Sequence, residues 1–162
     1  MATRFVLTPN SAEFPASAFP QLTLINRRPT LAFDASTQET CYWSFLAPQG
    51  LTGTKTAVIS YIMASATSGT VEFEVAVEAI TDADATDLDA ADSFATVNAS
   101  GAITVPGTAG YIDQVSVTLT NDDGISAGDY VRLSVSRDAD DVTNDTATGD
   151  LYLLNVEFRD GA

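Results

Sequence analysis

The stretch TVEFEVAVEA, residues 70–79, alternates apolar and acidic side chains over most of its length. Apolar residues occupy the odd positions from Val71 onward, and Glu72, Glu74 and Glu78 occupy three of the even positions. In a β-strand, successive side chains point to opposite faces, so a period of two residues separates the two sets. The stretch therefore predicts a β-strand with one buried face and one acidic face in contact with solvent.

Similar β-prone stretches follow one another along most of the chain, and polar or glycine-containing connections separate them. No segment shows a helical period of 3.6 residues over two turns or more. About eight short strands with turn signals between them are typical of a β-sandwich or a barrel. Uneven connections favour an all-β, jelly-roll-like antiparallel β-sandwich over an immunoglobulin-type sandwich. We expect strands near residues 30–34, 39–46, 54–65, 70–81, 93–98, 102–105, 111–120, 129–137 and 151–159.

Composition limits the function classes that this chain can serve. Its 162 residues suit one domain, and a hydrophobic content of 45% is enough for a substantial core. The formal net charge is −15, which repels nucleic acids and anionic membranes. No apolar run approaches the ~20 residues that span a bilayer, and the N-terminus lacks the apolar region of a signal peptide. We therefore expect synthesis in the cytoplasm without export, and neither a nucleic-acid partner nor a membrane partner.

The first 30 residues differ from the rest because prolines interrupt them at intervals. Proline removes a backbone donor and is disfavoured in helices and central strands. The segment is expected to be either an extended N-terminal arm, with residues 31–162 forming the sandwich, or an ordinary pair of peripheral strands on one domain. Arg27 and Arg28 lie side by side at its end and are candidate partner-binding residues.

The usual catalytic motifs are absent from the sequence. There is no histidine, which removes the common Ser-His-Asp and Cys-His arrangements, and no glycine-rich phosphate-binding motif. Cys41 is the single cysteine and is expected to be a buried, unreactive thiol. Glu72, Glu74 and Glu78 could supply a glycosidase-like carboxylate pair. The favoured alternative is a solvated strand face that Arg132 or Arg137 partly neutralises, so we expect no enzymatic activity and no cofactor.

Two acidic loops and one aromatic cluster offer weaker binding signals. Hard oxygen ligands in loops are the type that Ca²⁺ prefers, although neither loop has the glycine and terminal glutamate of an EF-hand. Simple solvated loops are the favoured alternative. An aromatic platform for sugars at residues 42–45 is the other candidate, but Trp43 should point away from Tyr42, and core packing is favoured there. The calcium candidates are Asp82, Asp84 and Asp87 in the first loop and Asp138, Asp140 and Asp141 in the second.

Three stretches carry a family resemblance: AVISYIMASATSGTVEFEVAVEAI (57–80), DDGISAGDYVRLSVSRDADD (122–141) and GDLYLLNVEFRD (149–160). They resemble β-rich virion proteins of tailed bacteriophages. In that family a jelly-roll domain ends in an AGD-x-hydrophobic-R strand, an acidic loop and a last strand close to LYLLxVEFR. The resemblance covers roughly residues 44–159 and carries no catalytic motif, so no functional residue can be transferred from it.

The resemblance implies a structural role in a virion. The first expectation is a capsid decoration (cement) protein on the capsid surface, a homotrimer that binds the major capsid protein or other virion proteins and stabilises the head shell. A tail or fibre module is the alternative within the same class. A carbohydrate-binding module, with or without calcium, and an enzyme built on a carboxylate pair are the alternatives from other classes.

Overall fold

The computed structural model describes residues 1–161, and these fold as an all-β protein with one short 3-10 helix at Pro9–Ser11. Twelve strands lie within these residues, whereas about eight were predicted. Within the same residues, no helix is long and apolar enough to cross a membrane. The strands are β1 (Ala2–Leu7), β2 (Gln21–Ile25), β3 (Arg28–Phe33), β4 (Glu39–Leu46), β5 (Lys55–Met63), β6 (Thr70–Val71), β7 (Phe73–Ile80), β8 (Asn98–Ala99), β9 (Ile103–Thr104), β10 (Asp113–Thr118), β11 (Tyr130–Arg137) and β12 (Leu151–Asp160).

Ten of the twelve strands form two antiparallel sheets that pack as a sandwich. Sheet I has the order β10-β5-β12-β3-β2, with β1 also paired to β12, and sheet II has the order β4-β11-β7-β8. From β3 onward the chain passes between the sheets to give two four-stranded layers, β3-β12-β5-β10 and β4-β11-β7-β8. This is the strand order of a jelly roll. The predicted jelly-roll-like antiparallel sandwich is therefore confirmed in class, and only its strand count was wrong.

The additional strands lie at the periphery, where sequence periodicity is weak. β1 and β2 extend sheet I, and the two-residue strands β6 and β9 pair only with each other. β6 is the start of the strand predicted at residues 70–81, which is interrupted at Glu72, and β9 falls within the strand predicted at residues 102–105. The strand expected at residues 93–98 is also shorter than predicted, because only Asn98 of that range is in a strand.

The core lies between the inward faces of the two sheets. In β7 and β11 inward-facing apolar side chains occupy alternate positions, and Phe73 and Leu133 are completely inaccessible. Trp43 is also inside, as predicted, and its Nε1 donates a hydrogen bond of 3.0 Å to the carbonyl oxygen of Thr8. Burial of alternate apolar side chains on both sheets supplies the main driving force for this fold.

The central strand β5 is buried on both faces. It lies between β10 and β12 in sheet I. Its outward residues Val58 and Ser60 are only 3% and 4% exposed, respectively. The Gln114 side chain contributes to this cover, since its Nε2 donates a hydrogen bond to Ser60 Oγ. Most of the outer face of β5 is therefore already covered within one chain.

The N-terminal segment lies on the sandwich. β1 pairs antiparallel with the end of β12, and the Arg4 guanidinium forms a salt bridge with the buried Asp160 carboxylate. β2 and β3 form an antiparallel hairpin, and Glu13 forms a β-bridge with Tyr42. The expected boundary at residue 30 falls inside β3. In this structure the segment therefore contributes peripheral strands to sheet I.

Candidate functional site

The glutamates of residues 70–79 do not form one solvated face. Glu72 interrupts the expected strand between β6 and β7, and Glu72 and Glu78 are only 5% and 2% exposed. Glu74 is half-buried. The prediction of an acidic face in contact with solvent is therefore wrong for two of the three residues. Alternation in sequence reports which side of a sheet a residue occupies, but it does not report what the rest of the chain lays over that side.

Glu78 is covered by the segment that follows β7. Ser93 donates two hydrogen bonds to Glu78 Oε1, one from its backbone N–H and one from its hydroxyl. Arg132 faces Glu78 in the β11–β7 pairing, with 3.7 Å between Nη1 and Oε2, and it also binds Asp92 at 2.6 Å. Its guanidinium lies 4.8 Å from the centre of the Tyr42 ring. The predicted neutralisation by Arg132 is confirmed, and these contacts fasten the acidic loop onto sheet II.

Arg137 does not neutralise the glutamates, so that alternative was wrong. It belongs to the inward-facing set of β11 and is completely buried. Its guanidinium makes paired contacts of 2.8 Å with the Asp145 carboxylate and donates to three backbone carbonyl oxygens. Since all five N–H donors are used, Arg137 has none left for another carboxylate.

Three carboxylates meet where the β6–β7 junction contacts the turn after β11. Glu72, Asp138 and Asp141 each place an oxygen within 4.8 Å of the other two. Backbone hydrogen bonds fix the arrangement, since the N–H of Asp138 donates to the carbonyl of Glu72 and the N–H of Asp141 donates to the carbonyl of Asp138. We call Glu72, Asp138 and Asp141 the carboxylate cluster.

The electrostatics of the carboxylate cluster reflect crowded negative charge. Partial burial, contact with Asp140 and the charges of Glu74 and Glu72 raise the pKa of Asp138 to about 7. Burial is the main cause that raises the pKa of Glu74, although Gln38 donates a hydrogen bond to it. Hydrogen bonds from the Thr143 and Asn144 backbones lower the pKa of Asp141. This concentration of carboxylates can attract a cation.

The structure separates the two predicted calcium loops. Asp138 and Asp141 belong to the carboxylate cluster, and the exposed Asp140 lies beside them. In the first loop, Asp82, Asp84 and Asp87 are all exposed, and no three-carboxylate cluster forms there within residues 1–161. The sequence did not indicate Glu72 as a calcium candidate, because its contact with the turn after β11 joins segments that are far apart in the chain.

Arg27 and Arg28 lie at the tip of the β2–β3 hairpin, and both are exposed. Asn26 and Arg27 form its two-residue turn with φ values of 43° and 67°. The other five basic side chains of residues 1–161 each form a salt bridge, whereas these two form none there. The only two basic side chains without a salt bridge in the described chain are therefore adjacent.

The remaining candidates point to packing. Cys41 is inaccessible, as expected, and burial raises the pKa of its thiol well above the usual range, which leaves it unreactive. Tyr42 stacks on Phe94 on the outer face of sheet II while Trp43 and Phe45 point inward. Residues 42–45 therefore do not form a flat sugar-binding platform.

Two surface grooves are further candidate binding sites. A groove of about 540 Å³ beside the carboxylate cluster is lined by small and polar side chains around residues 35–36 and 139–148. A second groove, of about 280 Å³, lies on the outer face of sheet I and is largely apolar. Its apolar lining residues are Ile25, Ile62, Ile112 and Leu154. We call these four residues the apolar groove.

Comparisons with known proteins add no functional assignment. No family model matches the sequence, and a search of curated proteins found no match. The function is therefore inferred from the geometry described above and from the resemblance of the three quoted stretches to virion proteins.

Proposed function

We propose that this protein is a non-enzymatic structural component of a tailed-bacteriophage virion, a capsid decoration protein that binds the major capsid protein and stabilises the head shell. The observation that carries the proposal is the exposed β2–β3 hairpin with its two unpaired arginines, on a chain of net charge −15. The jelly-roll sandwich supports the proposal because viral capsid domains commonly use this architecture.

The hairpin has the features of a contact element. β2 lies at the edge of sheet I, and within residues 1–161 it pairs only with β3. Leu22 and Leu24 on this strand are 51% and 67% exposed. An edge strand can pair with another chain, and clustered exposed apolar side chains mark interaction surfaces. The hairpin thus combines backbone, apolar and charged groups that can bind a partner.

Charge complementarity indicates the kind of surface that the hairpin contacts. The chain as a whole is strongly acidic, so an acidic partner is repelled overall, and Arg27 and Arg28 are the basic side chains that no carboxylate neutralises. An acidic patch on the capsid shell would select the hairpin end of the molecule and fix its orientation. Such pairing affects association rate and orientation more than total affinity, and it weakens as salt increases.

The proposal predicts that the double variant Arg27→Gln/Arg28→Gln binds heads about tenfold or more weakly than the wild type, because both unpaired cations are lost. Binding would be measured by co-sedimentation with purified phage heads that lack the protein. Arg159→Gln is the matched control, since it removes a partly exposed arginine of β12 that is paired with Glu157 on the same strand.

Head binding by the double variant equal to that of the wild type would contradict the role of the hairpin. Wild-type protein that sediments with purified tails and not with heads would favour the tail or fibre alternative. Cryo-electron microscopy of the virion provides an independent check, because decoration requires density for this domain on the head surface.

We further propose that the protein acts as a homotrimer, as the resemblance implies. The support is the apolar groove on the outer face of sheet I. It includes Ile62 near the end of β5, which is less completely covered than Val58 and Ser60. Ile112 at its rim is 67% exposed. A closed ring of identical chains can bury such a surface without leaving an unpaired interface, and three copies add avidity on a symmetric shell.

A further inference from the structure

We propose that Glu72, Asp138 and Asp141 bind one calcium ion, which ties the β6–β7 junction to the turn after β11. The proposal is independent of the virion function, since it concerns a different part of the surface from the hairpin and the apolar groove. It rests on the geometry of the carboxylate cluster, on the lack of a partner for a buried glutamate, and on the absence of a competing cation nearby.

The spacing of the oxygens suits a single ion. Calcium binds oxygen ligands at about 2.3–2.6 Å, so two oxygens on one ion lie at most ~5 Å apart. One oxygen from each member of the carboxylate cluster lies within 4.8 Å of the other two. The three side chains can therefore reach the same ion with small rotamer adjustments.

The Glu72 side chain provides the second observation. The residue is 5% exposed, and within residues 1–161 its carboxylate accepts no hydrogen bond and forms no salt bridge. Its carboxylate lies beside the carboxylates of Asp138 and Asp141. Glu72 keeps only slight contact with water, and a carboxylate without a partner is less well stabilised when most of its water has been removed. A cation bound among the three carboxylates would replace that water.

No side chain of the described residues supplies this cation. Arg137, the buried arginine that directly precedes Asp138 in the chain, directs all five N–H groups to Asp145 and to backbone carbonyls. Glu74 and Asp140 add further negative charge beside the carboxylate cluster. The site therefore has excess negative charge and an all-oxygen ligand set.

An all-oxygen, carboxylate-rich site selects calcium over softer metals. Zinc favours nitrogen and sulfur ligands, and the chain has no histidine and one inaccessible cysteine. Magnesium demands near-ideal octahedral geometry and tends to keep its waters, whereas calcium accepts irregular arrangements and additional carboxylates. Asp140 and water can complete the larger coordination number that calcium requires.

Thermal unfolding of the full-length protein in CaCl₂ and in EDTA tests the proposal. Because calcium binds only the folded state, we expect the Tm to rise by roughly 5–10 °C at a concentration about 100 times Kd. Glu72→Gln should abolish the rise and should also melt at a higher temperature than the wild type in EDTA, since it removes the unpaired charge. A merely structural role for Glu72 would not give this second result.

Asp82→Asn is the matched control, because it removes one exposed carboxylate from the other acidic loop and should keep the full calcium response. If Glu72→Gln fails to fold, Asp138→Asn provides the same comparison. A wild-type Tm that is identical in calcium and EDTA at ~1 mM ion, the weak end of protein calcium sites, would overturn the proposal. So would an undiminished response in the cluster variant, or an equal rise in MgCl₂ at the same ionic strength.

Discussion

Arg137 illustrates how one buried charge can organise the end of a sandwich. Its guanidinium holds the Asp145 carboxylate and three carbonyl oxygens, those of Asp34, Ala147 and Gly149. These groups belong to the connection after β3 and to the long turn between β11 and β12. A single side chain therefore fixes two loops that no sheet pairing holds, and it also positions the turn that carries the carboxylate cluster.

Replacing Arg137 by methionine should destabilise the protein by about 3–5 kcal/mol, because Asp145 would become a buried charge without a partner. Urea denaturation followed by circular dichroism measures this loss. Arg159→Met is the control, since it removes a more exposed ion pair with Glu157 and should cost at most about 1 kcal/mol. Equal losses of stability in the two variants would show that the buried Arg137 pair contributes no more than an exposed ion pair.

At the scale of the element, the turn of the β2–β3 hairpin is unusual. A two-residue hairpin turn of type I′ requires positive φ at both positions and favours Asn-Gly. Asn26 fits the first position, but an arginine with φ of 67° occupies the second. A residue with a side chain in the left-handed region costs of order 1 kcal/mol relative to glycine. An arginine at this strained position fits the binding role that we propose for its side chain.

Arg27→Gly should therefore raise the free energy of unfolding by about 1 kcal/mol and at the same time weaken binding to phage heads. Ala18→Gly is the matched control, because Ala18 has φ of 54° in the same N-terminal segment and carries no charge. It should give a similar gain in stability and unchanged head binding. If Arg27→Gly stabilises the protein without weakening binding to phage heads, Arg27 has no role in that binding.

The sequence predicts the long strands well, but it does not predict which of their outward-facing residues are buried by other segments. Strands such as β7 and β11 alternate over eight residues, so their inward faces follow from period two alone. Burial of Glu72 and Glu78 does not follow, since it depends on the turn after β11 and on the segment after β7. Asp138 and Asp141 are visible as acidic loop residues, but their meeting with Glu72 is a tertiary contact that local patterning does not encode.

At the scale of the whole molecule, the proposed binding features occupy different regions. The hairpin tip carries the unpaired arginines, the apolar groove lies on the outer face of sheet I, and the carboxylate cluster lies where the β6–β7 junction meets the turn after β11. Ile25 and Arg28 both line the apolar groove region, so the hairpin and the groove adjoin. A trimer built through the groove would therefore place three hairpins near the contacts between chains.

The trimer proposal is tested by measuring the mass of the purified protein in solution. Size-exclusion chromatography with light scattering should give about three times the chain mass of 17.0 kDa. Ile112→Asp should shift the protein toward the monomer, because a charge at the 67% exposed rim of the apolar groove would be buried between chains. Leu88→Asp is the control, since Leu88 is 61% exposed and lies outside the groove. A wild-type mass of one chain, or a trimer that persists unchanged in Ile112→Asp, would refute assembly through this surface.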